Sequence, residues 1–130
     1  MMDTPADLKY TSTHHWVRVE ADGTLAIGIT AHAQDELGDI VFVQLPEVGR
    51  RVKQGEACGV IESVKTAADL YAPVSGEVIA VNADTADRPE RINADPYGTW
   101  LFRMKPGQRA ELGALLDASS YGELAAGDRQ

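Results

Sequence analysis

The chain has 130 residues, 44% of them apolar, and a formal net charge of −8. That length and apolar content suit one folded domain with a modest core, and exclude a disordered chain. The acidic balance, with no basic stripe beyond the adjacent pair Arg50 and Arg51, excludes a nucleic-acid binder. No apolar run nears the ~20 residues that cross a bilayer, so no membrane helix is expected.

The opening Met1-Met2-Asp3-Thr4-Pro5 has neither the basic nor the apolar region of a secretory signal, so either the protein acts where it is made, with the cytoplasm the expectation, or a presequence is already gone. Lys9-Tyr10-Thr11 lead into 15–20, where apolar and polar residues alternate as in a half-buried strand. Asp22-Gly23 marks a hairpin turn, and 25–29 returns as the second strand. Thr30 is placed to cap a short helix over 31–37, with Gly38 ending it in the left-handed conformation. A third strand over 39–45 closes at Pro46, and a brief one follows at 51–53.

The most informative stretch is 57–82. Ala57-Cys58-Gly59-Val60-Ile61-Glu62-Ser63-Val64 is apolar and partly β-branched, as a strand packed into a core should be. Cys58, the single cysteine, cannot form an internal disulfide and reads as an inert buried thiol. Asp69-Leu70-Tyr71-Ala72 runs to Pro73, where a strand must end or reach an edge. Between them Lys65-Thr66-Ala67-Ala68 sets one long cation among small side chains at a turn. A lone lysine in such a place usually does no more than discourage edge pairing.

Beyond the hairpin, 76–82 alternates as another strand, and 83–99 is a polar loop with a helical turn near Pro89. Trp100 to Met104 is the last strand. Leu112, Leu115 and Leu116 share one helical face, and Ser120 with Glu123 forms a capping box before a terminal helix. Many short strands with close turn signals indicate a mainly β sandwich or barrel. One domain over 1–130 is expected, with a hairpin at about 57–82 and a helical segment at about 107–126.

The flanks of Lys65 alter the reading of that residue. Glu62-Ser63-Val64-Lys65, then Asp69, then Pro73, Ser75, Gly76, Glu77 and Val78 resemble the attachment hairpin of lipoyl and biotinyl carrier domains. The pattern is most similar to the glycine cleavage H-protein family. Biotin carriers typically flank the lysine with methionine, and dehydrogenase lipoyl domains with Asp and Ala; Val64 and Thr66 fit neither. Similarity runs on through His14, Trp16-Val17, Gly28-Ile29-Thr30, residues 37–43, Ile92-Asn93, residues 95–98 and Trp100.

The resemblance implies a two-sheet lipoyl/biotinyl-type hammerhead (a barrel-sandwich hybrid) with short helices after strand two and at the C-terminus. It implies lipoic acid attached to Lys65, with Glu62, Ser63, Val64 and Asp69 around it, and a shuttle rather than an enzyme. The implied partners are a glycine decarboxylase (P protein), an aminomethyltransferase (T protein), a dihydrolipoyl dehydrogenase (L protein) and a lipoate-attaching enzyme. An aminomethyl cargo is cationic and hydrolyses in water, so the loaded arm is expected to fold into a cleft where Asp69 faces the amine.

Two departures from the family pattern stand out. Where the family has a glutamate before the tryptophan, and uses it toward the cargo amine, this chain has His15. Neutral imidazole accepts a hydrogen bond from an ammonium and imidazolium repels it. The hold on the arm is therefore expected to weaken as pH falls from 8 to 6. The late loop Gly98-Thr99-Trp100 is one residue short, and this loop is expected to help line the cleft. His14, His15 and His32 are poor joint metal ligands, since adjacent strand residues point to opposite faces. Two further readings stay open: a lipoyl carrier or lipoate relay of another multienzyme system, and an enzyme using Lys65 as a Schiff-base nucleophile, which needs a desolvated lysine.

Overall fold

The computed structural model describes residues 4–128. Two antiparallel sheets carry the fold. Lys9–Tyr10 (β1), His15–Val19 (β2) and Leu25–Ile29 (β3) open the larger sheet. Ala31–Leu37 (α1) then crosses to Ile40–Gln44 (β4), and Arg51–Val52 (β5) follows. Ala57–Ser63 (β6) and Ala67–Tyr71 (β7) form the central hairpin. Gly76–Val81 (β8), two short helices Asp84–Asp87 (α2) and Glu90–Ala94 (α3), and Phe102–Pro106 (β9) come next. A 3₁₀ turn at Arg109–Ala114 and the helix Ala118–Asp128 (α4) end the chain.

The larger sheet has the order β1-β2-β3-β9-β8-β5 and the smaller β4-β6-β7. The inner faces of both sheets share one core, in which Val17, Ile27, Phe102 and Met104 of one meet Val43, Ile61 and Leu70 of the other. The sheets stay open and do not close into a barrel. This is the mainly β, two-sheet architecture the sequence implies.

The expected half-burial of the first long strand does not hold. His15, Trp16 and Val17 are all buried, as is every residue of β3. The cause is a second apolar cluster on the outer face. There Trp16, Ala26 and Tyr10 pack with Tyr121 and Ala125 of α4. Trp16 lies over Gly28, its cross-strand partner, where any side chain would collide with the indole, and its Nε1–H donates to Pro96 O (2.9 Å).

Local signals hold in most places. Thr30 Oγ1 accepts from Ala33 N–H (3.2 Å), capping α1 as expected. Gly38 has positive φ (78°), but its ψ of −154° is extended, not left-handed helical, because the chain passes at once into β4. The polar loop at 83–99 is more helical than its composition suggests, holding α2 and α3. The last strand starts at Phe102 rather than Trp100.

The C-terminal segment differs more. Leu112 and Leu115 pack on the main core while Leu116 joins the outer cluster, so the three do not share one helical face. The 3₁₀ turn ends at Ala114 and Leu115 is extended, which rotates Leu116 away. Ser120 lies inside α4 and is not its cap. Asp117 caps it instead, its Oδ1 accepting from Ser120 N–H (2.8 Å), and this bond holds the Asp117 carboxyl below the usual carboxylate range.

Candidate functional site

The turn joining β6 to β7 is built by one hydroxyl. Ser63 Oγ accepts from Thr66 N–H (3.1 Å) and Lys65 N–H (3.3 Å), while Ser63 N–H donates to Thr66 O (2.8 Å). A serine fits because one small side chain satisfies two backbone donors that the turn leaves unpaired. Lys65 sits at the tip and is exposed. That exposure is the reverse of the desolvation a Schiff-base lysine requires.

The tip is braced from beneath. Val64 N–H donates to Asp39 O (3.0 Å). The segment 38–40 is itself clamped by Asn93, whose Oδ1 accepts from Ile40 N–H (2.9 Å) and whose Nδ2 donates to Gly38 O (2.8 Å) and Gln34 Oε1 (3.0 Å). The Lys65 side chain lies along Gly38. A Cβ on that residue would stand 3.3 Å from Lys65 Cε, and the positive φ disfavours a side chain there in any case.

Beside the tip opens a cleft of about 290 Å³ between β2, α1 and the hairpin. Residues 66–70 form one wall and His32, Ala33, Glu36 and Leu37 of α1 another, with Thr13, His14 and His15 at the end. Ile29, Ile61, Leu37 and Leu70 make its apolar part. A second cleft of about 400 Å³ lies between 10–13, Tyr71 and the C-terminal leucines, and no residue of 62–68 lines it.

The sequence-derived candidates thus divide. Lys65 occupies the tip, Ser63 shapes it, and Asp69, exposed on β7, lines the cleft. Glu62 and Val64 do not reach the cleft. Glu62 is exposed opposite Phe42, and Val64 is 69% exposed. The late loop does not line the cleft either. It acts from behind, with Tyr97 OH accepting from Ala31 N–H (3.2 Å) and Asp95 closing on Gly98 N–H (3.1 Å).

His15 does not behave as a pH-sensitive contact for a bound amine. It is 2% exposed, and burial holds its pKa down at about 4, partly opposed by a hydrogen bond at Thr13. Its Nε2 accepts from Tyr71 N–H (3.2 Å), which leaves the proton on Nδ1, facing Thr13 Oγ1 (3.2 Å). Both ring nitrogens are occupied, Nε2 in tying the two sheets together and Nδ1 in the turn before β2. Between pH 8 and 6 the ring stays neutral, so it supplies no pH dependence there.

The two adjacent histidines also face one cleft, contrary to the strand-based expectation. His14 precedes β2 with a φ of 68°, which swings its ring toward α1. Its ring lies tilted against that of His32 (centroids 4.6 Å apart), and its Nδ1 lies 2.7 Å from Tyr121 OH, itself 2.7 Å from Thr30 Oγ1. Among the described residues no group of three or more His, Cys, Asp or Glu is arranged to hold a metal ion. Cys58 is buried and its thiol is pushed up to about 11 by that burial, as an inert core thiol should be.

A model of the family "Glycine cleavage H-protein" matches residues 8–127. The chain belongs to the glycine cleavage H-protein family. It is 60% identical over 121 residues to the glycine cleavage system H protein of Aromatoleum aromaticum, covering 93% of this chain and 94% of that one. The H protein of Nitrosomonas eutropha is 56% identical over 127 residues, covering 98% of both. Among solved structures, the glycine cleavage system H protein of Mycobacterium marinum superimposes with a TM-score of 0.84 at 44% identity, covering 97% of this chain and 99% of that one. Against this H-protein background, three features of the site are absent from the sequence reading. They are the Asn93 clamp, the Gly38 shelf under Lys65, and the His32–Glu36 pair on α1. His32 and Glu36 were findable as an i, i+4 pair on a helix whose cap was legible; what that face meets was not.

Proposed function

We propose that this protein is the lipoyl-bearing shuttle of a glycine cleavage system, a single non-catalytic carrier domain acting in the cytoplasm. It takes an aminomethyl unit from glycine decarboxylase to aminomethyltransferase and is reoxidised by dihydrolipoyl dehydrogenase, after a lipoate-attaching enzyme has modified Lys65. Neither nucleic acid nor membrane is a partner in this reading. The observation that carries it is an exposed lysine at a braced hairpin tip, beside a cleft of mixed apolar and acidic lining, in an H-protein chain.

The residues present fit a lipoyl arm. Once amide-linked, Lys65 loses its charge and becomes a neutral tether. When bound, the lipoyl group supplies a disulfide that takes up the cargo and is reduced in doing so. The chain does the rest. Ser63 and Asn93 hold the tip so that residue 65 leaves it in one direction. Ile29, Leu37, Ile61 and Leu70 offer an apolar bed to an aliphatic arm. Asp69 faces a cationic amine, an attraction of ~1–4 kcal/mol at 4 Å depending on how dry the cleft is. Keeping water from the cargo suppresses its hydrolysis. The tether also presents the cargo at high local concentration to whichever enzyme docks.

Intact mass of the protein from lipoate-competent cells tests the attachment. A lipoyl increment lost in Lys65→Arg is expected, and a biotin increment or none overturns it. Glycine–bicarbonate exchange with the decarboxylase then separates this shuttle from a lipoyl carrier of another system.

A further inference from the structure

Two carboxylates line the cleft, Asp69 on β7 and Glu36 on α1. Glu36 Oε1 stands 2.8 Å from Nε2 of His32, an approach without hydrogen-bond alignment. His32 is 2% exposed, and neither ring nitrogen has a hydrogen-bond partner among the described residues. Buried polar atoms are normally satisfied, and exceptions at a cleft wall call for an explanation. His15, by contrast, has both nitrogens engaged, by Tyr71 N–H and Thr13 Oγ1. His15 therefore has no ring nitrogen left for a cation, whereas α1 brings a carboxylate and a buried imidazole to the same cleft.

We propose that Glu36, which lines the cleft beside the buried His32, is the second carboxylate that receives the cargo amine, opposite Asp69. The inference rests on the carrier reading above and adds to it the residue that this chain uses where His15 cannot serve. An alkylammonium brings N–H donors. Glu36 and Asp69 offer carboxylate acceptors on two walls of one cavity. Glu36 is more than half exposed, so its replacement leaves the core alone. It holds the cargo amine by charge and hydrogen bonding and forms no covalent bond to it.

The test uses full-length lipoylated protein, loaded from glycine by the decarboxylase and then separated from it. Decay of the loaded form is followed by formaldehyde release in wild type, Glu36→Gln, Glu36→Asp and Asp69→Asn. Side-chain NMR of the Glu36 carboxyl and the His32 ring is recorded with and without loading. We expect Glu36→Gln to shorten the lifetime about fivefold, Glu36→Asp to restore part of it, and loading to shift both NMR signals in wild type. Equal lifetimes in wild type and Glu36→Gln, with an unmoved Glu36 signal, overturn the assignment while leaving the carrier reading intact. If the wild-type protein takes up no lipoyl group or no cargo, the carrier reading fails and this assignment falls with it.

Discussion

The outer face of the larger sheet and the tip of the small hairpin are made from similar strands and treated in opposite ways. On the outer face Trp16 and Tyr10 are fully buried under α4 together with Tyr121 of that helix, and the Tyr121 hydroxyl lies 2.7 Å from both Thr30 Oγ1 and His14 Nδ1. At the tip Glu62, Val64, Lys65 and Thr66 are exposed, held by backbone bonds to Ser63 and by Asp39 from below. One region is fixed by packing, which resists change. The other is fixed by hydrogen bonds around a free side chain, which lets residue 65 be modified without disturbing the core. A carrier needs both, a stiff holder and an accessible tether.

Substitutions break that contrast in a graded series. Trp16→Ala empties the outer cluster and should cost about 3–5 kcal/mol in denaturant unfolding. A loss below ~1 kcal/mol would mean that α4 does not seal that face. His15 comes next. Its pKa in the folded state, about 4, lies below the ordinary 6.5, so the unfolded chain binds the proton more readily. Stability from this residue is complete above pH ~6.5 and is lost as pH falls toward 4, by roughly 3 kcal/mol in all. Unfolding measured across that window should show the slope in wild type and lack most of it in His15→Gln.

Smaller effects sharpen the picture. Tyr121→Phe keeps the ring stack on Tyr10 (4.7 Å) and removes only the hydroxyl, at an expected cost of about 1–2 kcal/mol by the same unfolding assay. Lys65→Arg and Val64→Ala, at the exposed tip, should each change stability by less than ~0.5 kcal/mol. Lys65→Arg should nonetheless abolish the mass increment described above. A tip variant that destabilised like Trp16→Ala would erase the distinction between holder and tether.

Much of the fold is local chemistry and was legible as such. The Asp22-Gly23 turn, the Thr30 cap and the β6–β7 hairpin with Lys65 at its bend each follow from a few adjacent residues. The hairpin motif also carried the family. The elements that misled are those whose neighbours come from far along the chain. The alternation at 15–20 signalled one wet face, and α4, a hundred residues later, covers it. His15 stood where the family resemblance places a cargo contact, and β7 buried it and took its Nε2.

Sequence by itself determined the strand and turn order, the family, and the exposed lysine between two strands, because short-range sterics and hydrogen bonding decide these. Only the tertiary structure decided which histidine ties the two sheets, which carboxylates share a cavity, and that Asn93 and Gly38 support the tip. Those outcomes depend on desolvation and on hydrogen-bond pairing between residues 53 and 56 positions apart, which no local pattern encodes.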